Sequence, residues 1–178
     1  MSANSSYLEK LGHPATLQTY HDRFTDVDMD SELFGVVRAF RDVKTETSGG
    51  GSEPALVMRA TIFHAQGGGQ PSDEGSVTIV KDDGSDGAVF DVNLVKRDAA
   101  TGIIVHLGAF RTGCNAMEFV PGAKIKMYVD QEKRNLYSKL HSAGHAVDAA
   151  LLKLKDAGNT YAADLIPTKG YHFPDAPR

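Results

Sequence analysis

His141 and His145, four residues apart, are the pair in this 178-residue chain best spaced for chemistry. On a helix that spacing sets two imidazoles one turn above each other on one face. Such a pair can bind one metal ion, leaving each ring's second nitrogen for an orienting partner. Asp148 follows three residues later on a similar face. Ser142, Ala143 and Gly144 between the histidines are small, so a ligand or another backbone can come close. Two ligands do not complete a zinc site, which takes three protein ligands and a water, or four. A His-x-x-x-His pair by itself is commonly solvated or structural.

A glycine-rich stretch, Phe63-His64-Ala65-Gln66-Gly67-Gly68-Gly69-Gln70-Pro71-Ser72-Asp73-Glu74-Gly75, is the second feature. Three consecutive glycines expose backbone N–H groups and admit a ligand without steric cost. Pro71 stiffens the exit, and Gln70 offers both donors and acceptors. A bare Gly-Gly-Gly is more often a turn between strands. It is not a phosphate loop, because no Gly-Lys-Ser/Thr follows.

The elements that must position these residues are short strands and then one helix. Residues 1–22 are polar and irregular. Residues 31–43 and 55–63 read as two strands of a hairpin around the flexible turn Ser48-Gly49-Gly50-Gly51-Ser52. Residues 76–80 and 88–95 form another pair, joined by Asp82-Asp83-Gly84-Ser85-Asp86-Gly87. Residues 102–107 and 123–129 are further strands, the last alternating Ile125, Met127 and Val129. This spacing suggests a small antiparallel barrel or curled sheet. Asp130 then caps a predicted helix with Glu132 in its first turn, running to about Asp156 with Gly158 as its stop. Leu136, Leu140, Val147, Leu151 and Leu154 make an apolar stripe expected to face a core. A short loop, 161–165, and the segment 167–178 follow. The predicted organisation is therefore α+β. A β-barrel domain with the glycine-rich loop spans 1–129, preceded by a loose arm over 1–30, and a helix-containing domain begins at 130–178.

Hydrophobic residues make up 41% and charged residues 24%, ordinary for a soluble globular protein. The formal net charge of −4 argues against RNA held by bulk charge, so any RNA contact must come from a local patch or a shaped pocket. Lys133, Arg134, Lys139 and Lys153 are candidates for RNA phosphates, though a solvated helix face accounts for any one of them. The single cysteine, Cys114, excludes an internal disulfide and fits a reducing compartment; it reads as a small, partly buried residue. No apolar run is long enough to span a membrane, and residues 1–11 lack the apolar centre of a secretion signal, so the expected location is cytoplasmic.

Order and spacing together carry a resemblance. Phe63, Gly67 to Pro71, Asp73 and Gly75, followed by Val129, Arg134, His141 and His145, resemble the editing domain of alanyl-tRNA synthetase and its free-standing AlaX-type relatives. Val105-His106 resembles a strand of that family, and Lys169 to Asp175 a stretch of its eukaryotic members. The resemblance covers roughly residues 30–175. It implies a small β-barrel packed against an editing domain of the kind shared with threonyl-tRNA synthetases. It also implies a zinc ion between them, held here by His141 and His145. The substrate it implies is tRNA(Ala) mischarged with serine or glycine, and the reaction is hydrolysis of the aminoacyl ester. His141, His145 and Gln70 would then be the catalytic set. Gln66, Gly67, Gly68, Gly69 and Arg134 would hold the substrate.

The sequence departs from the family in two places. The family completes its zinc site with a Cys-x-x-x-His pair downstream, which has no counterpart before Arg178. The readings are a truncated editing domain, which is favoured, replacement of the missing ligands by His172 or Asp148, or no catalytic metal. Gln66 stands where family members often carry Glu or Thr, which leaves the amino-acid preference open. The alternative functional class is a non-catalytic tRNA-binding or interaction module that keeps the fold. A metal hydrolase of small esters or amides is a third.

Overall fold

The computed structural model describes residues 15–18, 28–40 and 53–159. The turn at 48–52, the loop at 161–165, the 169–175 stretch and His172 lie outside them. Among the described residues eight strands precede one long helix: β1 (Leu17–Gln18), β2 (Asp28–Phe40), β3 (Glu53–Met58), β4 (Ala60–Thr61), β5 (Gly75–Val80), β6 (Asp86–Arg97), β7 (Ile104–Phe110), β8 (Lys124–Val129) and α1 (Gln131–Asp156). The predicted strand pairs form, and the α+β class stands.

Six strands pair in the order β2-β3-β7-β6-β5-β8, and β8 returns to β2, so the ring closes. All six pairings are antiparallel. Alternation decides which side chains enter. In β8, Ile125, Met127 and Val129 are buried while Lys124 and Tyr128 are exposed. In β6, Ala88, Phe90 and Val92 point inward, and a register shift between Val92 and Leu94 moves the buried position to Val95. Leu56, Met58, Phe63, Val77, Ile104 and Phe119 complete this core. Strands β3 and β7 bury both faces, because Ala55, Val57, Val105 and Leu107 form a second cluster with Ile103. Cys114 is half-buried against the main core, as its composition context suggested.

Close approach fixes one glycine of the motif. A Cβ on Gly75 would stand 2.0 Å from the Tyr128 carbonyl oxygen, where β5 meets β8.

Two expectations fail here. The arm predicted for 1–30 contains β1, which pairs in parallel with β4, and buried Thr16, whose hydroxyl accepts from the Ile104 amide at 2.9 Å. Strand β2 also begins inside that range, at Asp28. The second concerns α1. Its N-cap is Asp130, accepting from the Lys133 amide at 3.0 Å, and Gly158 takes a φ of +81° just past its end, as predicted. Its apolar stripe, however, faces no core among the described residues. Leu136, Leu140, Val147 and Leu154 are 38–58% exposed, and Arg134 is the only buried residue of the helix. The described contacts that tie the helix to the rest of the chain are polar and lie in its opening turns, through Asp130, Lys133, Arg134 and Tyr137.

Candidate functional site

The glycine-rich loop is a hairpin sewn to the barrel. Gly67 and Gln70 exchange backbone hydrogen bonds of 3.2 and 3.0 Å across Gly68 and Gly69. Those two take φ values of +60° and +86°, which side-chain-bearing residues rarely adopt. Below the hairpin, the Gln66 amide donates to the Val95 carbonyl at 2.8 Å, and the Val95 amide donates to the Ser72 hydroxyl at 3.0 Å. One residue of β6 therefore holds both arms of the loop.

Asp73 closes the base of the loop and ties it to the helix. Its amide donates to the His64 carbonyl at 3.0 Å, and its Oδ2 accepts from the His64 amide at 2.6 Å. The same oxygen accepts from Nε and Nη2 of Arg134, and Nη2 also donates to the Ile62 carbonyl. Asp73 and Arg134 are 1% and 3% exposed. A buried charge requires a partner of this kind. Next to it Lys133 pairs with Glu74, which holds the ammonium above its ordinary pKa, and Tyr137 donates to the same carboxylate at 3.3 Å. Lys133 and Arg134, two of the four cations expected to meet RNA phosphates, are thus engaged with carboxylates of the loop. Lys139 and Lys153 remain exposed.

This clamp places the two sequence motifs across one cavity of about 760 Å³. The loop contributes His64, Gln66, Gly67, Gly68 and Gln70 to its wall, and the helix contributes Ser138, His141 and Ser142. Arg134 reaches it too, as a wall residue whose guanidinium is directed at Asp73. Gly69 and His145 are not part of the lining. Sequence reasoning missed Gln18 and Arg97, which also line the cavity. The alternating Thr16-Leu17-Gln18 is the one faint strand signal in that stretch, and nothing local marks Arg97.

Backbone donors are fewer than the loop's composition suggests. The amides of Gln66, Gly67 and Gln70 are spent inside the protein. Those of Gly68 and Gly69 make no protein hydrogen bond among the described residues.

His141 and His145 meet at 2.9 Å between their Nε2 atoms, with rings 4.5 Å apart and nearly perpendicular. One nitrogen therefore donates to the other. Two nitrogens on one tetrahedral zinc at about 2.0–2.1 Å would stand about 3.3 Å apart. The observed 2.9 Å is about 0.4 Å shorter than that separation. Among the described residues no group of three His, Cys, Asp or Glu is placed to hold a metal, so Asp148 does not complete the site. The pair fits half of a zinc site.

A third histidine, His106, is buried in the barrel. Burial pushes its pKa down to about 4, against a raising effect of the Leu56 carbonyl. Nδ1 faces that carbonyl at 3.2 Å and must donate to it, which leaves Nε2 to accept from the Thr61 hydroxyl at 2.8 Å. The ring packs edge-on to Phe63, at the start of the loop. It is a structural residue.

No helix among the described residues is long and apolar enough to cross a membrane. No protein-family model matches the chain. It is similar to part of the alanine–tRNA ligase of Paenarthrobacter aurescens (strain TC1), with 33% identity over 147 residues, 83% of this chain and 15% of the ligase. The ligase of Methanobrevibacter smithii is 26% identical over 153 residues, 86% of this chain and 15% of the ligase. That of Microcystis aeruginosa (strain NIES-843) is 28% identical over 162 residues, 89% of this chain and 16% of the ligase. The chain spans about 15% of the length of these curated relatives. It carries a domain related to a segment of the alanine–tRNA ligases.

Proposed function

We propose that this chain is an aminoacyl-tRNA deacylase that hydrolyses the ester of tRNA(Ala) mischarged with serine or glycine, acting in trans in the cytoplasm as a translation-fidelity factor. The observation that carries the reading is the shared cavity. The glycine hairpin and His141 line one space of about 760 Å³, in a chain related to alanine–tRNA ligases. That volume lies within the range of small-ligand sites and accommodates an aminoacyl adenosine end.

His141 and His145 would hold zinc, with a further ligand from outside the described residues. Zinc when bound polarises a water or the ester carbonyl. The remaining work falls to this chain. The N–H group of Gly68 and the side-chain carboxamide of Gln70 supply donors at the cavity wall for the oxygen that becomes negative as the ester is attacked. Gln66, Ser138 and Ser142 supply neutral hydrogen-bonding groups around the amino-acid moiety. Serine differs from alanine by one hydroxyl, and a wall built to bond that hydroxyl leaves its groups unpaired against alanine. The test is release of serine from Ser-tRNA(Ala) by zinc-supplemented protein, with Ala-tRNA(Ala) spared. Equal rates on the two substrates would refute the specificity.

A second reading follows from the two-donor metal set among the described residues. In it the chain binds tRNA without turnover. Binding would then survive His141→Ala, and no serine would be released.

A further inference from the structure

We propose that Arg97 is the residue that receives an RNA phosphodiester at the cavity, and so positions the substrate strand. The inference rests on the editing reading above and adds to it the residue that meets the backbone. Arg97 ends β6, is exposed, and lines the cavity. Its Nη2 donates to Oε1 of Gln18, and Nε2 of Gln18 donates to the Phe63 carbonyl at 2.9 Å. Gln18 is thereby held at both ends of its amide and orients the guanidinium. The orienting partner is neutral, so the charge of Arg97 is not cancelled by it. The neighbouring carboxylate, Asp98, is turned to the amide and hydroxyl of Thr101.

Charge across the cavity makes Arg97 distinctive. Among the described residues no carboxylate lines the wall. The other guanidinium, Arg134, is neutralised by buried Asp73. Among the described residues Arg97 therefore supplies the uncompensated positive charge of the cavity, in a chain whose net charge is −4. A guanidinium presents five N–H donors in a planar fork that matches two phosphate oxygens, and one of the five is spent on Gln18. An acidic protein that takes a polyanion needs a local cation of this kind, already oriented.

The test is filter binding of tRNA(Ala) over a series of salt concentrations, with wild type, Arg97→Ala, Gln18→Ala and Lys139→Ala. Lys139 is an exposed cation outside the cavity and controls for general electrostatics. Arg97→Ala should weaken binding about tenfold and flatten the log K against log salt slope by about 0.7–0.9, the contribution of one phosphate. Gln18→Ala should weaken binding less and leave the slope near the wild-type value, since it loosens the guanidinium without removing its charge. Equal losses for Arg97→Ala and Lys139→Ala would overturn the proposal, as would an unchanged slope in Arg97→Ala. Displacement of the RNA by millimolar inorganic phosphate at matched ionic strength would assign the site to free phosphate and overturn it too. Absence of serine release by wild type would refute the editing reading alone, because binding and slope decide Arg97 independently.

Discussion

The barrel and the helix are built on opposite principles. Strands β3, β5, β6, β7 and β8 bury apolar side chains in a shared core, with Leu56, Met58, Phe63, Phe90, Ile125 and Met127 fully enclosed. The helix buries one residue, and that residue is an arginine. Apolar area removed from water holds the first region. Hydrogen bonds and charge pairs clustered in its opening turns hold the second, through Asp130, Lys133, Arg134 and Tyr137. The lesson concerns precision. An apolar face allows sliding, whereas the Arg134 fork on Asp73 and the Ile62 carbonyl fixes both the depth and the rotation of α1. His141 lies seven residues, about two turns, beyond Arg134. One buried ion pair thus aims the histidine at the loop whose base Asp73 closes.

The largest expected effect sharpens the barrel side. Phe90→Ala should cost about 3–5 kcal/mol in urea unfolding, the usual loss for a fully buried aromatic. A cost below about 1 kcal/mol would mean that the ring is not a packed core. On the helix side, Arg134→Ala leaves Asp73 buried without its counter-ion, at a cost of about 3–5 kcal/mol. The location of the loss separates the two regions. Hydrogen exchange should quicken along residues 134–150 while the amides of Val77, Phe90 and Ile104 keep their protection. Uniform loss of protection would break the distinction between the regions.

Acid probes the barrel again. The pKa of His106 lies near 4 in the fold and near 6.5 in an unfolded chain. The unfolded state therefore binds more protons between those values. Stability is full above about pH 6.5 and declines as pH falls toward 4, by roughly 3 kcal/mol over the window. Urea midpoints from pH 7 to 4.5 measure it, and His106→Gln should lose the part of the slope that begins near pH 6.5. An equal slope in the variant would assign the acid sensitivity elsewhere. The smallest effect belongs to the helix stripe. Leu140→Ser and Leu154→Ser should each shift stability by no more than about 0.5 kcal/mol, because both side chains are already solvated. A loss of 2 kcal/mol at either would show that the stripe is covered in solution.

Much of this was legible in the sequence, for local reasons. Alternation in 124–129, the turn chemistry at 82–87 and the Asp130 cap are encoded within a few residues each, and the structure places them where the pattern does. The His141–glycine-loop juxtaposition was legible only through the combined order of the motifs. What escaped depends on contacts distant in sequence. Arg134 offered a free cation on paper, and its partner is 61 residues away. Gln18 belongs to a stretch with almost no pattern, and it acquires a role from Arg97, 79 residues on. The helix stripe misled because period alone shows which face is apolar, not what covers it.

The most direct measurement is single-turnover deacylation of Ser-tRNA(Ala) and Ala-tRNA(Ala) by the zinc-supplemented chain, with His141→Ala and Gln70→Ala beside it. The account expects serine to be released and alanine retained, with the rate falling at least a hundredfold in His141→Ala and less in Gln70→Ala. A rate on Ser-tRNA(Ala) that survives both substitutions would contradict it, since the chemistry would then lie outside the cavity between the glycine hairpin and the helix.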